Sequence, residues 1–245
     1  MSDSKNQAAA VFLHGFLGGP QQFDFLLPAA KKHGYDPLPL LLPGHGGEYR
    51  AFLGSGRTAW EAYVTAELGK LRGRYERLLL VGHSMGGLLS IRAALDDARG
   101  ICGIFAIALP LHLYVSHKGM HTNWKHVTGL GKADVYTQAA RSCCSVAGIT
   151  VWNAPLMLPR IIDLTALSAK ARRGLNGLNV PLTILHSQQD EWVSARSLKS
   201  ATKRCSTEPE ILLLSESGHF FYTEADKQRI SDHFAAFAFA CLERK

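Results

Sequence analysis

The run Gly82-His83-Ser84-Met85-Gly86-Gly87, directly after the apolar residues Leu78-Leu79-Leu80-Val81, constrains this chain more than any other segment. A short apolar run bounded by glycine reads as a buried strand, and Leu88, Leu89, Ile91 and Leu95 beyond it share one side of an amphipathic helix. Strand must become helix through a single residue, so Ser84 is expected on a tight, strained turn. Its neighbours have to be glycine, because side chains there would strike the adjoining strand or helix. The strain lifts the hydroxyl clear of the sheet. The helix start then aims free N–H groups and the positive end of its dipole at whatever stands beside that oxygen. Such a turn suits a nucleophile; a glycine-rich turn with an incidental serine is the competing reading.

The surrounding pattern alternates. Strands are expected at 9–13, 36–42, 78–81, 101–108, 182–185 and 210–214. Helices are expected at 23–33, stopped by Gly34, at 58–75, after Ser84, at 194–204 and at 221–242. Thr58 with Glu61 three residues on has the form of a capping box. Strands separated by helices predict an α/β fold, a mostly parallel central sheet with helices on both faces. Residues 110–179 break the rhythm. They are expected as an inserted cap over the carboxyl edge of the sheet, where ligands of open α/β sheets bind, leaving 1–109 and 180–245 as the core.

With 245 residues and 47% hydrophobic content, the chain is long enough for one domain with a full core. Residues 1–7 are polar and show no secretory signal, and the apolar stretch 101–109 is too short to span a bilayer and is broken by Pro110. Five cysteines, with Cys143 and Cys144 adjacent, form neither a C-x-x-C pair nor a disulfide framework, so a reduced, cytoplasmic protein is expected. The net charge is +7, and 110–175 holds eight basic against two acidic residues. No basic run exceeds two residues, which argues against nucleic acid and for a solvated surface, with attraction of an anionic substrate or lipid surface as the alternative.

A serine hydroxyl needs a base, and the base needs a third group to fix its tautomer. His219, in the loop after the strand at 210–214, is the candidate base. The loop after 182–185 offers Asp190 and Glu191; Asp190 is the chosen acid and Glu191 is read as its solvated neighbour. Donors for an oxyanion are expected from the backbone N–H of Met85 and, in the loop after the first strand, of Phe16, where Gly15 leaves the backbone free to approach.

These pieces together resemble the α/β-hydrolases, in particular small bacterial carboxylesterases and monoacylglycerol lipases. The matching residues are His14-Gly15-Phe16, Pro43-Gly44-His45-Gly46, the Ser84 turn, Asp190-Glu191 and Ser217-Gly218-His219. The resemblance implies Ser84 as nucleophile, Asp190 as acid, His219 as base, and Phe16 and Met85 as oxyanion donors. It departs at Gln188-Gln189, where many relatives have glycine before the acid.

A serine carboxylic-ester hydrolase of short- to medium-chain acyl or monoacylglycerol-type esters is therefore expected, with no cofactor and no transmembrane anchor. Its partner would be a small-molecule ester, possibly anionic; the residues carry no sign of oligomeric state. Thioester hydrolysis, acyl transfer and carbon–carbon bond hydrolysis use the same triad, and a non-catalytic ligand-binding member of the fold is the reading from another class. Leu17, Trp124, Trp152, Met157, Trp192 and Phe220 are candidate substrate contacts, with the cap's own core as the alternative role. His112, His117, His121 and His126 crowd one region, yet no cysteine or carboxylate completes a metal set, and Gly119 argues against a firm helix there, so no metal is expected.

Overall fold

The computed structural model describes residues 6–244 apart from 115 and 129–131. Six parallel strands form one sheet: β1 (Asn6–Leu13), β2 (Asp36–Leu40), β3 (Tyr75–His83), β4 (Ile101–Ile107), β5 (Leu182–Ser187) and β6 (Glu210–Leu214). Their order is β2-β1-β3-β4-β5-β6. The chain winds outward in one direction from β1 to β2 and in the other from β3 onward. That leaves a crevice beyond the carboxyl ends of β1 and β3, the place where open α/β sheets take ligands.

Alternate residues of each strand face opposite layers, and both layers are dry. Val11, Leu13, Leu78, Leu80, Ile104 and Ala106 face one side, which α3 (Arg57–Arg72), α4 (Met85–Asp96) and α7 (Leu158–Gly174) cover. Phe12, Leu79, Val81, Phe105 and Ile107 face the other, covered by α1 (Leu27–Lys32) and α9 (Glu224–Glu243). There the ring of Phe105 meets Phe234 edge-on at 5.5 Å, and Phe12 lies 5.1 Å from Phe23. Burial on both faces is why the central strands read as unbroken apolar runs.

Several boundaries differ from expectation. The helix expected at 23–33 is a 3-10 turn, Pro20–Phe23, followed by the short α1, in which Pro28 occupies the first turn where its missing N–H costs nothing. Gly34, at φ +83°, ends it as expected. The helix expected from Thr58 is capped by Gly56 instead, without a side-chain cap, and Glu61 serves ion pairs with Arg57, Arg92 and Lys170. The closing helix starts at Glu224 rather than 221, because the Thr223 side chain accepts the Asp226 N–H.

Between β4 and β5 lie α5 (His117–Thr128), α6 (Val135–Cys143), a 3-10 turn (Ala154–Met157) and α7. The inner side of α7 (Leu164, Leu167, Ala171) belongs to the apolar layer packed on the sheet. Helix α5 runs through Gly119, against the expectation that glycine would break it. No helix among the described residues is long and apolar enough to cross a membrane. Two further elements complete the chain, α2 (Tyr49–Leu53) and α8 (Arg196–Arg204).

Candidate active site

Ser84 occupies the turn between β3 and α4 with φ +51° and ψ −116°, a backbone state that costs a residue with a Cβ on the order of 1–3 kcal/mol. Its N–H is held by the Ile107 carbonyl at 2.8 Å. A Cβ on Gly82 would run into the backbone of Gly86 and Gly87, and one on Gly86 into the Leu13 carbonyl. The glycines are thus dictated by close approach of β1, β3 and α4.

The acid loop follows β5. The Asp190 Oδ1 accepts the N–H groups of Trp192 and Val193, both at 2.8 Å, and its Oδ2 accepts the His219 Nδ1–H at 2.9 Å. Burial alone would raise the Asp190 pKa. The His219 ring and the two main-chain donors outweigh it, so this carboxyl lies below its usual range. Gln188 and Gln189, exposed in the turn before it, need no positive φ, which explains how glycine can be absent there.

The His219 ring is buried, and burial disfavours its charged form. The Asp190 carboxylate more than compensates, leaving the ring's pKa raised. With Nδ1–H committed to Asp190, Nε2 is the free acceptor. The His219 main chain is gripped on both sides: its N–H donates to the Glu191 Oε2 at 3.0 Å, and its carbonyl accepts from Tyr222 Oη at 3.0 Å and His83 Nε2 at 2.9 Å. A carbonyl only accepts, so His83 carries its proton on Nε2. Burial, reinforced by nearby His219, lowers the His83 pKa to about 3, so it remains a neutral donor. Glu191, expected in solvent, is buried.

The loop after β1 is held by a second neutral histidine. His14 Nε2 accepts the Leu42 N–H at 3.0 Å, which puts the ring proton on Nδ1, facing the Gly15 carbonyl. Burial, helped by His45, brings its pKa to about 3. Gln22 accepts the Gly15 N–H at 2.9 Å, and Leu17 turns with φ +59°. Phe16 packs its ring edge-on against Phe52 at 5.0 Å, and the residue lines the crevice. Among the described residues, no hydrogen-bond acceptor takes the N–H of Phe16. Met85, first in α4, has no intrahelical acceptor for its own.

Ser84, His219 and Phe16 line one cavity of about 570 Å³, mostly apolar. Asp190 and His219 are hydrogen-bonded; no hydrogen bond joins Ser84 to His219 among the described residues. Leu17, Met157, Trp192 and Phe220 line the cavity. Trp124 and Trp152 do not: they are 58% and 90% exposed on the outer surface of the segment. Sequence reasoning missed Leu113, Tyr114, Thr122, Ile149 and Ile161, which reach the cavity from both ends of the segment. Only the 3.6-residue spacing within 158–164 could have pointed to one of them. A smaller cavity of about 330 Å³, lined by Gln22, His83 and Tyr222, shares Cys143 and Phe220 with the first.

Among the described residues, none lining the larger cavity is Lys or Arg. Several basic residues of the segment are engaged elsewhere: Lys125 with Asp134, Arg160 with Asp163, and Arg172 with the Leu111 carbonyl. No cluster of three potential metal ligands exists among the described residues, and the His126 side chain lies outside them.

A parallel sheet that brings a strained serine turn, an acid loop and a histidine loop to one edge is the layout of an α/β hydrolase. The chain belongs to the alpha/beta hydrolase family, whose model matches residues 10–232. It is 27% identical over 231 residues to a thermostable monoacylglycerol lipase of Bacillus sp. (strain H-257), covering 93% of this chain and 88% of that one. Among solved structures, one from the metagenome-derived lipolytic enzymes LipS and LipT superposes with a TM-score of 0.74 at 26% identity, covering 96% of this chain and 95% of the other. A soluble variant of Saccharomyces cerevisiae monoglyceride lipase shares the fold with a TM-score of 0.72 at 15% identity, over 98% and 89% of the two chains.

Proposed function

We propose that this protein is a serine carboxylic-ester hydrolase, acting on short- to medium-chain acyl or monoacylglycerol-type esters. The observation that carries the reading is the His219–Asp190 pair at 2.9 Å, whose His219 shares an apolar cavity with Ser84 on its strained turn. The Ser84 Oγ attacks the ester carbonyl as its proton passes to His219 Nε2. Negative charge develops on the former carbonyl oxygen, where the Phe16 and Met85 N–H groups receive it; a single such donor contributes about 3 kcal/mol. The C–O bond breaks, and His219 returns the proton to the departing alcohol. Water, deprotonated by the same ring, then releases the acid from Ser84.

The similarity to a monoacylglycerol lipase supports a substrate with one acyl chain, as does a cavity walled by Leu113, Ile149, Met157 and Leu164. Absence of Lys and Arg from the described lining favours uncharged esters. The cap, in this reading, is the part of 110–179 that precedes α7, whose inner side serves the core.

The test is a series of p-nitrophenyl esters from C2 to C16, with fluorophosphonate labelling mapped by mass spectrometry. Fastest turnover at short to medium chains and a label on Ser84 are expected. Equal hydrolysis by wild type and Ser84→Ala, or a label elsewhere, would overturn the serine mechanism. A maximum at the longest chains on emulsified substrate would overturn the chain-length assignment.

A further inference from the structure

The acid loop presents two adjacent carboxylates, and the mechanism above uses one. Asp190 holds the His219 ring, whereas Glu191 holds its main chain through the 3.0 Å bond from the His219 N–H to Oε2. Glu191 is only 1% exposed, and its Oε1 is buried with no hydrogen-bond partner among the described residues. A carboxylate in such a place is unfavourable unless its charge or its acceptor is used.

Its surroundings leave it no freedom. The Glu191 carbonyl accepts from the Ser116 N–H and Oγ, each at 3.1 Å, which fixes the start of α5 on the acid loop. A Cβ at Gly119 would lie 2.7 Å from that carbonyl oxygen, and one at Gly218 would lie 2.7 Å from the Oε2. Gly119 is therefore explained by the approach of Glu191, and Gly218 by Glu191 together with the Tyr136 ring, also 2.7 Å away. The residue clamps α5, the acid loop and the histidine loop together.

The other titratable and charged groups facing this pair are few. Asp190 shares the loop; His83 ends β3 and His186 lies on β5, and burial lowers the proton affinity of both rings. Burial also holds the Tyr222 hydroxyl well above its ordinary range. Tyr136 of α6 packs near Gly218, with the Lys118 ammonium of α5 over its ring at 3.2 Å. Against the effect of burial, the charges that raise the proton affinity of His219 are first Asp190 and then Glu191. Glu191 is itself pushed up by burial.

We propose that Glu191 is a second positioning carboxylate for the base, holding the His219 main chain in place and, through its charge, stabilising the imidazolium formed as Ser84 loses its proton. No bond to Glu191 is made or broken; the proton moves only between Ser84 Oγ and His219 Nε2. This role rests on the serine-hydrolase reading above.

Glu191→Gln keeps an oxygen for the His219 N–H but removes the charge; Glu191→Asp keeps the charge but shortens the reach. The readouts are the pH profile of kcat/KM on p-nitrophenyl butyrate and the NMR titration of the His219 ring in a Ser84→Ala background. For Glu191→Gln, the acid limb and the ring titration should both move to lower pH by about half a unit or more. Its kcat should fall about tenfold with KM changed less than about twofold. Glu191→Asp should lose kcat while its acid limb stays near that of wild type. A Glu191→Gln enzyme with the wild-type acid limb and ring titration would overturn the electrostatic role. If that variant does not fold, a Glu191→Asp enzyme with undiminished kcat overturns the positioning role. Wild-type protein that neither turns over the ester nor takes a fluorophosphonate on Ser84 defeats the serine reading itself. A labelled, active wild type with unmoved Glu191 variants defeats this role alone.

Discussion

The carboxyl edge of the sheet and the segment between β4 and α7 border the same cavity but are built on opposite terms. At the edge, each candidate chemical group is held several times over: Asp190 by three donors, and the His219 main chain by Glu191, Tyr222 and His83. In the segment, large apolar side chains such as Trp124, Trp152 and Leu156 lie open to solvent. It is tied to the core by scattered main-chain bonds, among them the Ser145 N–H to the Leu17 carbonyl at 2.9 Å, the Ser116 N–H to the Glu191 carbonyl at 3.1 Å, and the antiparallel bridge between Leu113 and Val193. Proton transfer fails when a heavy atom is misplaced by an ångström, whereas an apolar wall tolerates repacking. Rigidity is concentrated where geometry decides the rate.

The contrast is breakable, beginning where the expected effect is largest. Ser84→Ala should lower ester turnover by at least about 10⁴-fold with little loss of fold, and Asp190→Asn by a similar order through the wrong His219 tautomer; steady-state kinetics beside thermal melts separates activity from stability. Phe12→Ala, in the dry layer under α9, should cost about 3–5 kcal/mol by urea unfolding, whereas Trp152→Ala should stay within about 0.5 kcal/mol. Equal costs would mean that the outer segment is as tightly integrated as the sheet.

Acid sensitivity tests the edge itself. His14 and His83 have folded pKa values near 3 and His45 near 4, all below the ordinary 6.5. Between those limits the unfolded chain binds more protons, so stability rises with pH there and is lost as pH falls below about 6.5. His45→Phe, placed among Phe16, Phe52 and Trp60, should flatten that slope by up to about 1.4 kcal/mol per pH unit in denaturant titrations run from pH 4 to 7. For activity the sign is set by His219: its pKa is raised, so the fraction of neutral base, and with it kcat/KM, should climb through a pH above 6.5. A smaller effect is expected from Thr223→Ala, which removes the cap of α9 and should cost about 1 kcal/mol by the same unfolding assay.

Much of the edge was legible in the residues. A strand running into Gly-x-Ser-x-Gly, followed by an apolar helix, leaves few geometries open, and loops that follow consecutive parallel strands arrive on the same side. What sequence spacing misjudged was local and depended on contacts from elsewhere in the chain. Thr58 looked like a cap because its capping-box pattern is intact, yet Glu61 is drawn away by Arg92 and Lys170 from other helices. Gly119 looked like a helix breaker because nothing in its neighbours reveals the Glu191 carbonyl pressed against it. Trp124 and Trp152 looked like pocket lining, since aromatic content alone carries no direction.

Residue order by itself determined the alternation of strands and helices, hence a mostly parallel sheet, and which loops meet at its carboxyl end, because apolar periodicity and glycine spacing act within a few residues. Only the folded chain decided that the carboxylate next to Asp190 is buried and takes the His219 main chain. Adjacent positions on a turn point in different directions, and the direction depends on packing contributed by β3, α5 and the loop before α9. Those contacts join residues from 28 positions apart, Glu191 and His219, to 136 apart, His83 and His219, and no local pattern encodes them.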